Sequence, residues 1–166
     1  MRVSDQALAN ANNALAEQLE QRGLMIATAE SCTGGWVAKI LTDRAGSSAY
    51  VQGGLVTYSD ESKRRLLCVK QTTLAEEGAV SELVVREMVA GALAAMNADV
   101  ALAISGVAGP GGGTEEKPVG TVWFAWGGSV SNTHAVSRVF EGDRDAVRKQ
   151  ATLFALEGVC AFLEES

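Results

Sequence analysis

The sequence predicts an α/β fold: a three-layer α/β/α sandwich around a mixed sheet of about five strands, in one domain over residues 1–166. Three observations predict it. Short apolar runs that fit buried strands alternate with longer segments whose apolar residues recur at helical spacing. Two neighbouring β runs meet near Gly127-Gly128 as a hairpin, which brings antiparallel pairing into the sheet. Finally, a chain of 166 residues with 47% apolar and 20% charged side chains can build one sizeable core and has little room for a second.

The elements follow in order. Residues 4–22 carry Ala7, Leu8, Ala11, Leu15 and Leu19 at helical spacing, with Gly23 placed as the C-cap. Residues 24–29 are a short apolar run that fits a buried strand. Residues 33–43 read as a helix with Gly34 and Gly35 in its first turn, and 50–58 as a second strand. Ser59, Asp60 and Glu61 supply a cap and acidic residues for a helix over 63–67. Thr73, with Glu76 three positions on, predicts a capping box for a short helix. Residues 81–97 repeat Val85, Met88, Val89, Ala92, Leu93 and Met96, an amphipathic helix. A strand over 99–105 precedes the hairpin of 119–128 and 132–141. Asp143 then caps a final helix carrying Val147, Ala151, Phe154, Ala155, Val159 and Phe162.

Composition narrows the function. No apolar run approaches the roughly 20 residues that span a bilayer, and the N-terminus lacks a signal peptide's layout, so a cytoplasmic domain with no membrane partner is expected. With 14 basic against 20 acidic residues, net −6, the chain lacks the basic footprint of a nucleic-acid binder. An anionic ligand must instead be held by local Arg or Lys side chains and backbone amides. Cys32, Cys68 and Cys160 form no CxxC pair and read as reduced thiols. With His134 the single histidine, a conventional multi-histidine metal site is not expected.

One segment differs in kind. Residues 106–120 hold both prolines and six of the 18 glycines, Gly106 and Gly109 among them, and suit neither a helix nor a central strand. They form either a long surface loop or a backbone cradle for a ligand. The segment feeds a strand, so it is not a dinucleotide fingerprint, and it lacks GxxxxGK[ST].

Candidate chemistry gathers where the first strand ends, at Glu30-Ser31-Cys32-Thr33-Gly34-Gly35. Amides of a first helical turn can stabilise an oxyanion there, and Ser31 is a candidate nucleophile. A plain N-cap role for Ser31 or Thr33 stays open. Cys32 is the alternative nucleophile, although its base would have to be His134, which lies in a β run without neighbouring acids. A serine without histidine can use lysine, and Tyr58 and Lys63 bracket the turn after the second strand. Read from the residues alone, Lys63 is first a solvated helix charge beside Arg64 and Arg65. For anions, Ser48 within Gly46-Ser47-Ser48 offers a hydroxyl and amides, and Arg144 with Arg148 shares one helix face.

The blocks Thr28-Ala-Glu-Ser-Cys-Thr-Gly-Gly-Trp36, Gly46-Ser-Ser48, Gly54-Leu-Val-Thr-Tyr-Ser59, Gly78-Ala-Val-Ser81, Ser105-Gly-Val-Ala-Gly-Pro110, Glu116-Lys-Pro-Val-Gly-Thr-Val122 and Gly142-Asp-Arg144 resemble the CinA C-terminal domain family over nearly the whole chain. The resemblance implies that family's fold. It also implies hydrolysis of the carboxamide of nicotinamide mononucleotide to nicotinate mononucleotide and ammonia, without cofactor or metal, as part of pyridine nucleotide recycling. By the same resemblance, Ser31 is the nucleophile, Lys63 the base and Tyr58 an orienting or relay group. Amides of Cys32, Thr33, Gly34 and Gly35 hold the oxyanion, and Glu30, Ser48, Ser105, Gly106, Gly109 and Arg144 bind substrate. It further implies a homodimer. A non-catalytic nucleotide-binding or regulatory module is the alternative, as is an amidase or esterase with another substrate.

Overall fold

The structure, a computed structural model, describes residues 2–166. In chain order it contains α1 (Asp5–Arg22), β1 (Ile26–Glu30), α2 (Trp36–Asp43), a single 3-10 turn (Ser47–Ala49) and β2 (Val51–Val56). Next come α3 (Asp60–Leu67), α4 (Gln71–Glu77) and α5 (Glu82–Met96). The chain closes with β3 (Val100–Gly106), β4 (Thr121–Gly128), β5 (Ser131–Val139) and α6 (Arg144–Glu164). The five strands make one mixed sheet in the order β2-β1-β3-β4-β5. β1 runs parallel to both β2 and β3, whereas β3, β4 and β5 pair antiparallel. The expected α/β/α sandwich and its hairpin are present. Among the described residues, no helix is long and apolar enough to cross a membrane.

Strand parity sorts the core into two layers. Ile26, Val100, Leu102, Ile104, Val122, Phe124 and Trp126 face one side and pack with α1, α2 and α6. Their alternating neighbours Ala27, Ala29, Ala101, Ala103 and Ala125 face the other side and pack with Val84, Val85, Met88 and Val89 of α5. Bulk on one face and alanine on the other is why α5 can lie close to the sheet. α3 approaches α5 just as closely: a Cβ added at Gly91 would overlap the Leu67 carbonyl.

Capping follows the sequence at most ends. Ser4, Ser59, Ser81 and Asp143 accept from the third amide beyond them, and Gly23 closes α1 in the left-handed conformation. Two expectations are corrected. α2 begins at Trp36 rather than Thr33, because Gly34 (φ +62°) and Gly35 (φ +99°) are left-handed and make a turn ahead of the helix. Thr73 does not open a capping box; α4 starts two residues earlier, at Gln71. Glu87 of α5 takes over the cap, accepting from the Lys70 amide at 2.8 Å and the Thr73 hydroxyl at 2.6 Å.

Topology fixes where a ligand can bind. From β1 the chain passes through α2 to β2 on one side, then through α3, α4 and α5 to β3 on the other. The connections therefore diverge between β1 and β3, opening a crevice beyond the carboxyl ends of those strands.

Gly91→Ala should cost about 1–3 kcal/mol, read as a lower denaturant midpoint, since Leu67 backbone must move. Gly111→Ala, with nothing within 4 Å of the added Cβ, should change stability little and serves as control.

Candidate active site

Ser31 follows directly on β1, and its amide donates to the Ile104 carbonyl of β3 at 3.0 Å. This ties the nucleophile candidate across the divergence point. Ser105, buried, and Gly106 finish β3 beside it. Lys63 comes from α3, four residues beyond the Ser59 cap, and is 1% exposed. Its Nζ lies 2.9 Å from Ser31 Oγ, 2.8 Å from the Thr57 carbonyl and 3.1 Å from the Tyr58 carbonyl. Lys63 forms no ion pair among the described residues.

Three acceptors around one amine have a chemical consequence. The carbonyls can only accept, so they engage two N–H bonds in either protonation state. The third position faces Ser31 Oγ, as an N–H bond in the ammonium and as a lone pair in the neutral amine. Burial lowers the Lys63 pKa from its ordinary value, with Asp60 and then Cys32 opposing. A neutral Lys63 amine would thus present its lone pair to the Ser31 hydroxyl.

Cys32 behaves oppositely. Burial is the main cause pushing its pKa up to about 11, only partly offset by the Arg148 guanidinium. A thiolate is disfavoured there, which weighs against Cys32 as the alternative nucleophile.

Several expected roles change. Glu30 is fully buried and does not border the crevice. Its Oε1 accepts from the Thr33 hydroxyl (2.6 Å) and the Val37 amide (3.0 Å), and Oε2 accepts from the Ala38 amide (3.0 Å). It is the cap of α2, so the first amides of that helix are already engaged. Thr33, Gly34 and Gly35 also lie behind the crevice wall, and the Gly34 amide is engaged by the Ser31 carbonyl. Ser48 is exposed in the 3-10 turn preceding β2. Because β2 parallels β1, that turn sits at the amino ends of the strands, opposite Ser31. Tyr58 reaches Lys63 through its main-chain carbonyl; its hydroxyl accepts from Arg144 Nη2 at 3.1 Å and bonds to neither Ser31 nor Lys63. The relay role is not the arrangement found.

The crevice is a cavity of about 290 Å³. Ser31, Cys32, Tyr58, Lys63, Ser105 and Arg144 line it together with Gly106, Gly109 and neighbouring loop residues. Among the described residues its lining holds no carboxylate and carries Arg144 and, when protonated, Lys63, so it is cationic within a chain of net charge −6. Arg144 Nη1 donates to the Gly109 carbonyl at 2.8 Å, which joins the start of α6 to the glycine-rich loop. Arg148 points elsewhere: Nε donates to the Cys32 carbonyl at 2.9 Å and Nη2 to that of Thr33 at 3.4 Å. Ala79 and Val80 also line the crevice. Residue chemistry could not single them out, since they contribute shape alone.

The profile of the CinA C-terminal domain matches residues 8–163 of the chain. Nicotinamide-nucleotide amidohydrolase PncC of Escherichia coli (strain K12) is 54% identical over 155 residues, 93% of this chain and 94% of that protein. A PncC of Pseudomonas putida is 50% identical over 145 residues, 87% and 90% of the two chains. Among solved structures, the competence/damage inducible protein CihA from Agrobacterium tumefaciens is 39% identical and superposes with a TM-score of 0.93 over 99% of each chain. The competence damage-inducible protein A from Klebsiella pneumoniae, 43% identical, gives 0.91 over 95% of this chain and 97% of that one.

Iodoacetamide at neutral pH should label exposed Cys68 and leave Cys32 unmodified until the protein unfolds, as followed by mass spectrometry. Rapid labelling of Cys32 in the folded protein would contradict a buried, protonated thiol.

Proposed function

The chain belongs to the CinA C-terminal domain family, and from that premise we propose that it hydrolyses the carboxamide of nicotinamide mononucleotide, giving nicotinate mononucleotide and ammonia. The observation that carries the reading is the 2.9 Å contact between Lys63 Nζ and Ser31 Oγ at the crevice floor. The activity for which the PncC relatives are named supplies the substrate class.

The chemistry follows from the pair. Neutral Lys63 accepts the Ser31 proton as Oγ bonds to the amide carbon, and the carbonyl oxygen becomes an oxyanion. Collapse expels the amide nitrogen, which leaves as ammonia with the proton carried by Lys63. The nicotinoyl ester on Ser31 then meets water. Lys63 takes a proton from that water, the hydroxide adds to the ester carbon, and Oγ leaves with the proton returned to it. The product is the carboxylic acid, which releases its proton to solvent and leaves as the carboxylate. No second base is needed, because each proton Lys63 accepts is released within the same half-reaction.

The ends of the substrate sort by charge. The phosphate lies toward Arg144 and the amides of the 106–113 loop, where a guanidinium can make paired contacts and no carboxylate lines the wall. The pyridine ring lies between this anchor and Ser31, beside the Tyr58 ring that Arg144 holds.

Purified protein given nicotinamide mononucleotide should release one ammonia per nicotinate mononucleotide formed. Ser31→Ala should lower that rate by about 10³-fold or more while the protein stays folded. Thermal stabilisation by the nucleotide without ammonia release would point instead to a non-catalytic binding module.

A further inference from the structure

The turn that carries Ser31 has few free donors. In residues 31–38, the Ser31 amide is engaged by Ile104, Gly34 by Ser31, Trp36 by Thr33, and Val37 and Ala38 by Glu30. Among the described residues, the amides of Cys32, Thr33 and Gly35 have no acceptor within the chain. Of these three residues only Cys32 borders the crevice. Its carbonyl shares a peptide group with the Thr33 amide.

Arg148 determines how that peptide group sits. Its guanidinium takes the Cys32 carbonyl at 2.9 Å and reaches the Thr33 carbonyl at 3.4 Å from the α6 side. In a trans peptide the C=O and N–H point in opposite directions, so a Cys32 carbonyl drawn to Arg148 turns the Thr33 N–H away from it. Arg148 does not border the crevice, whereas Ser31 and Cys32 do. The turn is thus held from the α6 side, while Cys32, whose own N–H is free, stands at the crevice wall beside Ser31.

Arg148 is itself committed to this place. It forms no ion pair among the described residues, and its guanidinium lies 5.9 Å from the Trp36 ring centre. Gly34 leaves room for it, since a Cβ there would stand 2.9 Å from Nη2.

We propose that Arg148 is a positioning residue for the reaction: by holding the Cys32 and Thr33 carbonyls it fixes the turn that presents the free Cys32 amide to the oxyanion formed on Ser31. The proposal rests on the reading of Ser31 as nucleophile. It assigns to Arg148 a part in the chemical step and none in gripping substrate, which falls to Arg144.

The test uses two readouts on the full chain, comparing the starting protein with Arg148→Met and Arg148→Lys, each checked for folding by its thermal transition. The first readout is steady-state ammonia release from nicotinamide mononucleotide. Both variants should lose kcat at least about tenfold, against roughly 10²–10³ for outright loss of an oxyanion donor, with KM within threefold. The second readout is sulfonylation of Ser31 by phenylmethanesulfonyl fluoride, followed by mass spectrometry. There Oγ bonds to sulfur, fluoride leaves and the hydroxyl proton passes to Lys63, with negative charge growing on sulfonyl oxygen. Both variants should react at least about tenfold more slowly. Slower sulfonylation in the variants, with no deamidation even by the starting protein, would remove the substrate reading and keep the role of Arg148. Folded variants with unchanged kcat and sulfonylation rate, or with raised KM alone, would overturn the role. So would a starting protein whose Ser31 is never sulfonylated.

Discussion

A buried lysine amine at the crevice floor, with a serine hydroxyl and two backbone carbonyls as its hydrogen-bond partners among the described residues, is the constraint on which the other features of this site depend. The carbonyls of Thr57 and Tyr58 fix the direction of two N–H bonds and leave the third position for Ser31. Burial then disfavours the charged form, since no carboxylate pairs with it. The sheet makes this arrangement possible. Thr57 and Tyr58 leave β2 next to the end of β1, where the Thr57 amide donates to the Glu30 carbonyl at 2.8 Å. Both acceptors thus arrive beside Ser31 as a consequence of parallel pairing.

Around that pair the charges have separate duties. Glu30 is spent on capping α2, and Arg148 on the carbonyls of the turn that follows Ser31, so that turn is gripped by Glu30 and from α6. Arg144 remains toward the crevice, linked to Tyr58 and the glycine-rich loop. A chain of net charge −6 thereby presents a cationic cleft without a basic surface. Local placement rather than net charge decides which ligand charge fits.

Much of this was legible in the sequence where the physics is local. Periodicity located the helices and strands, and polar caps located most helix starts. Ser31 could be read as a strand-end residue because an apolar run stops before it. What stayed hidden is non-local. Ser48 has the right chemistry for an anion, yet it precedes its strand, and parallel pairing sends every amino end to the far edge of the sheet. Tyr58 drew notice for its phenol, whereas the group touching Lys63 is a main-chain carbonyl that any residue type would supply. Glu30 was a ligand contact by the family resemblance alone. Strand alternation instead turns it inward, onto a helix whose start two left-handed glycines delay. Glu87 caps α4 from another helix, a pairing no local spacing encodes.

The central claim is that Lys63 is neutral when Ser31 attacks. It is tested most directly by titrating Lys63 itself, following its 13Cε resonance with pH in protein carrying labelled lysine and assigning the signal with Lys63→Arg. The account predicts a midpoint below the ordinary lysine value of about 10.4, so that the neutral base gains population at lower pH than a free lysine would allow. A midpoint at or above that value would contradict it, leaving Lys63 a fixed cation and Ser31 without its base.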